Sequence, residues 1–167
     1  MRGACKFLRN GLAKRTYRKK FCKRPQQIVF RDLHFEKRTA TLILAMKILL
    51  IDDDEALTTI FNAALTKEGF QVVVKHTGQE GINAASTETP NLILLDQVLP
   101  DFSGNDILKQ LKQDDKTKNI PVIILSNFSQ EELVKEAINQ GAADYAFKYQ
   151  VEPKDVIEKI KRTLGQT

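Results

Sequence analysis

Several apolar runs of the sequence end in, or lead directly into, side chains that can bind a metal ion or react with phosphate. These side chains are the carboxylates of Asp52, Asp53, Asp54 and Asp96, the hydroxyl of Ser126 and the ammonium group of Lys148. They are spread over almost a hundred residues of the chain. Only a fold that gathers the ends of distant segments can therefore bring them together.

The chemistry open to this set follows from its charges. Carboxylates that converge on a small volume repel one another unless a cation joins them, and Mg²⁺ is a hard dication that favours such oxygen ligands. A carboxylate can also attack phosphorus, while a metal ion and an ammonium group neutralise the charge on the phosphoryl oxygens. The set indicates magnesium-assisted phosphoryl chemistry. Neither GxxxxGK[ST] nor GxGxxG occurs, so nucleotide binding is not predicted.

The elements that must position these side chains are β-like runs that alternate with helical stretches. Three of the runs are nearly continuous in Ile, Leu and Val, as in strands that helices cover on both faces. The predicted strands cover residues 47–51, 71–75, 91–95, 121–125 and 144–148. Helices are predicted after each strand, the last four at roughly 78–86, 104–113, 130–140 and 153–164.

Helix boundaries also carry sequence signals. The apolar face predicted for the first helix consists of Leu57, Ile60, Phe61, Ala64 and Leu65, and this helix is expected to stop at Gly69. Ser129 and Glu132 have the spacing of a capping box for the fourth helix, and Gly141 is its predicted stop.

Five βα repeats predict a doubly wound α/β domain with a five-stranded parallel sheet. In such a sheet, ligands bind beyond the carboxyl ends of the strands. The acidic, hydroxyl and ammonium side chains all lie at those ends. We therefore expect them to form one site at one edge of the sheet.

Residues 1–45 differ in composition from the rest of the chain. They carry 13 Lys and Arg against Asp32 and Glu36, a net charge of +11, whereas residues 46–167 have a net charge of −6. The first segment lacks the apolar surface for a core, so we expect a basic, disordered extension before a folded domain over 46–167. Three explanations stay open: a translation start placed too far upstream, a flexible basic tail, and a targeting segment or nucleic-acid arm.

Cysteine usage and hydropathy limit the compartment. Cys5 and Cys22 are the only cysteines, so no disulfide framework or cysteine metal site is predicted, which favours a reducing cytoplasm. No uninterrupted apolar run approaches the ~18 residues of a membrane span. We therefore expect a cytoplasmic protein with no membrane partner. Contact with nucleic acid is expected, if anywhere, through the basic residues 1–45.

The chain from Met46 to about Leu164 resembles a response-regulator receiver domain, the phosphoacceptor part of two-component signalling. The resemblance rests on "LLIDDDEA", "PNLILLDQVLPDFSG", "IPVIILSN" and "GAADYAFKY", which occur in the family's order and at its spacing. It implies a (βα)5 flavodoxin-like fold with strand order 2-1-3-4-5. Two departures are visible: Tyr149 follows Lys148 where proline is common, and Leu99 stands where methionine is common.

The resemblance also implies roles for individual residues. Asp96 is the expected phosphoacceptor, Asp53 the direct magnesium ligand, and Asp52 a helper that acts through the metal's water shell. The other implied roles are the backbone carbonyl of Val98 as a metal ligand, Ser126 as the switch hydroxyl, Tyr145 as the aromatic switch and Lys148 as the lysine that pairs with phosphate. Asp54 is instead expected to cap the first helix, where a negative charge complements the helix dipole.

The implied function is a signalling switch, phosphorylated on Asp96 by a sensor histidine kinase or a phosphotransfer protein, and not an enzyme in the usual sense. The chain ends soon after the fifth predicted helix, so output is expected through a downstream protein at the helix 4, strand 5, helix 5 face. Two other classes stay open. One is a phosphorylation-independent interaction module. The other is a phosphatase or mutase with an aspartyl nucleophile, which Val98 disfavours because those enzymes have a second acid there.

Two apolar residues are expected to set the lifetime of the phosphorylated form. Val98 and Phe128 lie two residues past the expected phosphoacceptor and the switch hydroxyl, at positions that tune self-dephosphorylation in the family. Neither side chain can orient an attacking water by hydrogen bonding, so slow decay is expected. His34 and His76 have no visible metal partners and are expected at the surface.

Overall fold

The computed structural model describes residues 46–127 and 130–166. The basic segment 1–45, with His34, and the residues Phe128 and Ser129 lie outside this described part. The domain boundary predicted after residue 45 therefore stays a prediction.

The described residues form one parallel five-stranded sheet in the predicted order 2-1-3-4-5. Its strands are β1 (Lys47–Ile51), β2 (Gln71–Lys75), β3 (Leu92–Asp96), β4 (Val122–Ser126) and β5 (Asp144–Phe147). The helices that connect and follow them are α1 (Glu55–Lys67), α2 (Gly78–Glu88), α3 (Gly104–Gln113), α4 (Glu131–Asn139) and α5 (Pro153–Thr163). The predicted doubly wound α/β architecture is confirmed.

The two faces of the sheet build two apolar cores. Because successive strand residues point to opposite faces, Leu49 and Ile51 join the core beneath α2, α3 and α4. Ile48 and Leu50 join the core beneath α1 and α5. All four of these side chains are fully buried. Truncating any one of them to alanine is expected to cost about 2–5 kcal/mol, the usual range for a large-to-small core change.

Two strands extend one residue further than predicted, and this shift places two chemically important residues. β3 ends with Asp96 and β4 ends with Ser126, so each belongs to its strand instead of following it. Asp96 is in register with Leu125, and Ser126 with Phe147. Both polar residues are thereby held by sheet geometry and not by a loop.

Two predictions about the helices are wrong in detail. Ile60 was predicted on the apolar face of the first helix but is 53% exposed. Each helical residue advances by about 100°, which turns Ile60 away from the buried Phe61. Thr58 lies on the buried face instead. The N-cap of α4 is Gln130, which makes no side-chain capping bond, so this helix does not start at the predicted capping box. The stops at Gly69 and Gly141 are confirmed, since both residues have positive φ angles that favour glycine.

Candidate functional site

The acidic pair at the end of β1 has one buried and one exposed member. Asp52 is fully buried, and its backbone N–H donates to the Lys75 carbonyl of the neighbouring strand at 3.0 Å. Its Oδ1 accepts from the Asp54 N–H at 3.1 Å. Asp53 is exposed. The turn after β1 therefore fixes one carboxylate inside the domain and leaves the next one accessible to solvent.

Asp54 has a separate role, as predicted. Its Oδ1 accepts from the backbone N–H groups of Ala56 and Leu57, both at 3.0 Å. These N–H groups belong to the first turn of α1, where the helix itself offers no acceptor. The three consecutive aspartates thus divide into two site residues and one helix cap.

Lys148, just after β5, connects the ends of β1 and β3. Its Nζ lies 2.7 Å from Asp52 Oδ2 and 2.9 Å from Asp96 Oδ2. The side chains of all three residues are at most 8% exposed. Carboxylate oxygens of Asp52, Asp53 and Asp96 also lie within 4.8 Å of one another. The structure therefore gathers the predicted acidic and ammonium groups in one place.

Burial and neighbouring charges shift two of these groups. Burial raises the pKa of Asp96, and the nearby Asp52 adds to this, although hydrogen bonding and attraction to Lys148 oppose it. Burial alone would lower the pKa of Lys148, but its hydrogen bonds to Asp52 and Asp96 raise it overall. The pair of carboxylates thus favours the cationic form of Lys148, whereas ionised Asp96 lies in an unfavourable setting that a further cation would relieve.

The loop between β3 and α3 carries Val98. Val98 forms an isolated antiparallel bridge with Ser103, and the Gly104 N–H donates to the Gln97 carbonyl at 2.8 Å. A Cβ on Gly104 would lie 2.6 Å from the Asp96 carbonyl oxygen, so this close approach requires glycine. The Val98 side chain is 54% exposed and lines the cleft beside Asp96.

Ser126 and Tyr145, the predicted switch residues, lie on adjacent strands. Ser126 is fully buried, and its carbonyl accepts from the Lys148 N–H at 2.8 Å. Tyr145 is 8% exposed, and its ring centre lies 5.4 Å from that of Phe147. Within the described residues, the Tyr145 hydroxyl has no hydrogen-bond partner. In this structure, therefore, the Tyr145 side chain lies inside the domain.

The cleft above the acidic group has an apolar and aromatic rim that sequence analysis did not predict. Leu57, Asn127 and Tyr149 line it together with the acidic residues. The ring centre of Tyr149 lies 6.0 Å from that of Phe147, so Tyr149 continues the row that starts at Tyr145. Tyr149 lies in the turn that follows β5, so strand alternation could not have placed it here.

Two contacts near the site were missed because they join residues far apart in sequence. His76 is exposed as predicted, yet its Nδ1 lies 3.0 Å from the Asp52 carbonyl oxygen. Asp101 accepts from the N–H groups of Gly78 and Gln79 at the start of α2. Burial acts to raise the pKa of Asp101, but these two N–H groups lower it overall. Only the pairing of β1 with β2 in the sheet could have suggested the His76 contact.

Comparison with known proteins decides the family. The family model for the response regulator receiver domain matches residues 48–161, more than half of the chain. The chain belongs to the response regulator receiver family. The match spans every residue that the sequence assigned to the site. Receiver domains are signalling switches of two-component systems, so the third class above, a phosphatase or mutase, has no support.

Similar proteins differ in how much of their length the matched receiver domain covers. The alkaline phosphatase synthesis transcriptional regulatory protein PhoP of Bacillus subtilis is 33% identical over 121 residues, which cover 72% of this chain and 49% of PhoP. The polar-differentiation response regulator DivK of Brucella anthropi is 30% identical over 118 residues, covering 71% of this chain and 95% of DivK. The chain thus spans about half the length of PhoP and nearly all of DivK.

A solved structure shows the same fold. The CheY-like receiver domain protein of Methanospirillum hungatei JF-1 has a TM-score of 0.68 and 31% sequence identity, covering 72% of this chain and 94% of that one. In the part of the chain that the structure describes, no helix is long and apolar enough to cross a membrane.

Proposed function

We propose that this receiver domain is a phosphoacceptor switch in a two-component phosphorelay, phosphorylated on Asp96 in a magnesium-dependent reaction. The observation that carries the proposal is the position of Lys148, whose Nζ lies 2.7 Å from Asp52 and 2.9 Å from Asp96. A lysine held on a buried carboxylate at the floor of a cleft is ready to pair with a phosphoryl oxygen placed on that carboxylate.

The acidic group fits a magnesium ion. Three carboxylates lie within 4.8 Å of one another, and a single ammonium group pairs with two of them. The negative charge of the cluster therefore exceeds its positive charge, which favours binding of another cation. We assign Asp53 and Asp96 as direct ligands, Asp52 as a ligand through water, and the Val98 carbonyl as the remaining protein ligand. When bound, the ion would neutralise charge on the phosphoryl oxygens.

The chemical step proposed for Asp96 is a displacement at phosphorus. A carboxylate oxygen attacks the phosphoryl group of a phosphohistidine, the O–P bond forms as the P–N bond breaks, and the imidazole leaves with the electron pair and takes up a proton from solvent. Lys148 stabilises the charge that develops on the phosphoryl oxygens. Asp96 lies at the end of a strand that is paired on both sides, so its carboxylate is held in place for this attack.

The switch would act through Ser126 and Tyr145. A phosphoryl group on Asp96 offers new acceptor oxygens, which would draw the Ser126 hydroxyl toward the cleft. Movement of Ser126 would change the space available beside β5 to Tyr145, which packs next to Phe147. A new position of Tyr145 would then alter the face formed by α4, β5 and α5. We propose that this face contacts the downstream protein.

Receiver domains interact with histidine kinases or phosphotransfer proteins and with downstream targets. We propose a partner of each kind for this chain, at a cytoplasmic location, which is general in the family. The phosphorylation-independent module remains the alternative, but no feature of the described site favours it, because each chemical group that the reaction needs is in reach of the cleft.

A test uses a small phosphodonor such as acetyl phosphate, with intact mass as the readout. The wild type is expected to gain the mass of one phosphoryl group with Mg²⁺ and none with a chelator. Asp96→Asn is expected to gain none in either condition, because an amide cannot attack phosphorus. Asp115→Asn, a change at a side chain that is 90% exposed, serves as the matched control. A full phosphoryl mass on Asp96→Asn would refute the assignment.

A further inference from the structure

The β3–α3 loop, residues 97–103, is closed at its base and held at its tip by different contacts. At the base, Val98 bridges Ser103 and the Gln97 carbonyl accepts from the Gly104 N–H. The tip, residues 100–102, is exposed. Between them, Leu99 is 7% exposed and anchors the loop in the core. Neither base contact involves a residue of α2.

Asp101 supplies the contact at the tip. Its Oδ1 accepts from the Gly78 N–H at 2.8 Å, and its Oδ2 accepts from the Gln79 N–H at 2.9 Å. Both donors lie in the first turn of α2, where the helix offers no acceptor of its own. A single carboxylate, 22 residues away in sequence, thus joins the loop that carries Val98 to another element through two hydrogen bonds.

The start of α2 is shaped for this contact. A Cβ on Gly78 would lie 2.6 Å from Ile107 Cδ1 and 3.1 Å from Asp101 Oδ1, so the absence of a side chain at Gly78 lets the helix approach the loop without displacing either of these side chains. Thr77 already serves as the local cap of α2, with its Oγ1 accepting from the Glu80 N–H at 3.3 Å. The helix therefore has a cap of its own, and Asp101 adds a connection between two elements.

We propose that Asp101 is a positioning residue that holds the β3–α3 loop against α2 and thereby fixes the Val98 carbonyl for Mg²⁺. The proposal rests on the magnesium assignment within the proposed function. Asp101 itself does not touch the ion. Without its carboxylate, the Val98 carbonyl would sample more positions, and ordering it would then oppose metal binding.

The connection also acts in the reverse direction. If loop position and metal binding are coupled, the ion must stabilise the contact between Asp101 and α2, because coupling between two events is reciprocal. Mg²⁺ is therefore expected to slow hydrogen exchange of the Gly78 and Gln79 amides. In Asp101→Ala, the same amides are expected to exchange at a rate that Mg²⁺ does not change.

The decisive experiment measures Mg²⁺ affinity by calorimetry on the full chain of four proteins: the wild type, Asp101→Ala, Asp101→Asn and Thr77→Ala. Asp101→Ala is expected to bind Mg²⁺ about tenfold more weakly, the low end for residues that orient metal ligands. Asp101→Asn is expected to be intermediate, because its amide oxygen can accept from only one of the two N–H groups. Thr77→Ala removes a cap from the same helix without touching the loop, so its affinity should stay within about twofold of wild type.

Two results would overturn the proposal. One is an Asp101→Ala affinity equal to wild type. The other is an equal loss in Thr77→Ala, which would assign the effect to the stability of α2. Phosphoryl uptake by the wild type is measured separately. Wild type that binds Mg²⁺ but takes up no phosphate refutes the proposed function and leaves this comparison valid, whereas wild type that binds no Mg²⁺ overturns the positioning role as well.

Discussion

At the scale of single residues, the interior of the site contains charges that do not balance. Lys148 touches two buried carboxylates, and Asp53 brings a third within 4.8 Å. Charges in such a setting interact more strongly than on the surface, because little water screens them. The ligand-free site is therefore held in a state of mutual repulsion that a cation or a neutral substitution would relieve.

Asp96→Asn is expected to stabilise the metal-free protein at neutral pH. Burial raises the pKa of Asp96 above its ordinary value of 3.8. Its raised pKa therefore contributes to folding stability below pH 3.8, where Asp96 is protonated, and this contribution is lost as the pH rises through the folded-state pKa. Removing the charge should gain on the order of 1 kcal/mol, or ~4 °C in melting temperature. Thermal unfolding with a chelator checks this. The gain should shrink as the pH is lowered toward 4, and an unchanged melting temperature at pH 7 would contradict the raised pKa.

Mg²⁺ is expected to stabilise the wild type by mass action. An ion that binds only the folded state adds ~2.7 kcal/mol at a concentration one hundred times its Kd. Asp53→Ala should lose most of this gain while keeping the buried pair of Lys148 and Asp52. The measurement is the melting temperature over a magnesium titration. Equal shifts in wild type and Asp53→Ala would show that the ion binds elsewhere.

Val98 is expected to slow hydrolysis of the phosphorylated form. Its exposed apolar side chain lines the cleft and cannot orient an attacking water, whereas an asparagine could. Val98→Asn should therefore speed the decay by several-fold, roughly a 1 kcal/mol change in the barrier. A decay time course of the phosphoform, followed by intact mass, tests this. Ile60→Asn, a change on α1 at a side chain that is 53% exposed, is the control, and equal decay rates in all three proteins would refute the role of Val98.

Sequence could predict the acidic residues and Lys148 but not their neighbours. Asp52, Asp96 and Lys148 follow or end apolar runs, and parallel strands bring such ends together wherever the fold is recognised. The contacts of Asp101 and His76 depend on how loops settle against other elements. No local pattern encodes such a contact, because its two sides lie more than 20 residues apart.

At the scale of elements, the last strand and the last helix are joined by a carboxylate. Asp144 begins β5, and its Oδ2 lies 2.8 Å from Lys159 Nζ and 2.9 Å from an Arg162 nitrogen, both on α5. Its Oδ1 accepts from the Tyr145 N–H at 2.8 Å. These contacts fix the helix to the strand that carries Tyr145. The predicted strand begins at the right residue and runs one residue too far, but the connection was not predicted, since charged residues on an amphipathic helix are usually solvated.

Asp144→Asn is expected to destabilise the domain by ~1–2 kcal/mol at pH 7, because charged hydrogen bonds are stronger than neutral ones. Although burial acts to raise the pKa of Asp144, its bonds to Lys159 and the Tyr145 N–H lower it overall. Its contribution is therefore present above the ordinary value of 3.8 and is lost as pH falls through the lower folded-state pKa. Urea unfolding at pH 7 and pH 3 should show the difference from wild type shrinking in acid.

A matched control is Glu131→Gln, which removes the ion pair to Lys135 on α4. Both side chains of that pair are more than two thirds exposed, so the change should stay within ~0.5 kcal/mol. An Asp144→Asn effect no larger than this would show that β5 and α5 are held together by their apolar contacts alone.

At the scale of the whole molecule, the core residues within the described part of the chain run from Met46 to Leu164. The charge also divides near this boundary, with +11 over residues 1–45 and −6 over 46–167. Hydropathy and charge therefore predict a folded domain that begins at Met46, and this boundary stays a prediction. They could not indicate what the basic segment does, because a charged stretch without an apolar pattern specifies no packing.

A version of the protein that begins at Met46 is expected to unfold like the full chain. Because the described residues of both cores lie within it, its urea midpoint should agree with that of the full chain. Its m-value should agree too, since m reports the surface that unfolding exposes, and the disorder expected from the sequence of residues 1–45 would add none. A lower midpoint or a smaller m-value for the shorter chain would show that residues 1–45 pack as part of the folded protein.

Tyr145 and Tyr149, at the two ends of the row of rings, allow the domain to be followed by its intrinsic tyrosine fluorescence. The protein has three tyrosines and no tryptophan, so its ultraviolet emission comes from Tyr17, Tyr145 and Tyr149. Tyr149 is 57% exposed at the mouth of the cleft, whereas Tyr145 is almost entirely buried at the other end of the row. In a Tyr17→Phe protein, quenching by external iodide would therefore select Tyr149. The emission that remains would come from Tyr145, so events at the cleft and inside the domain could be followed separately without attaching a dye.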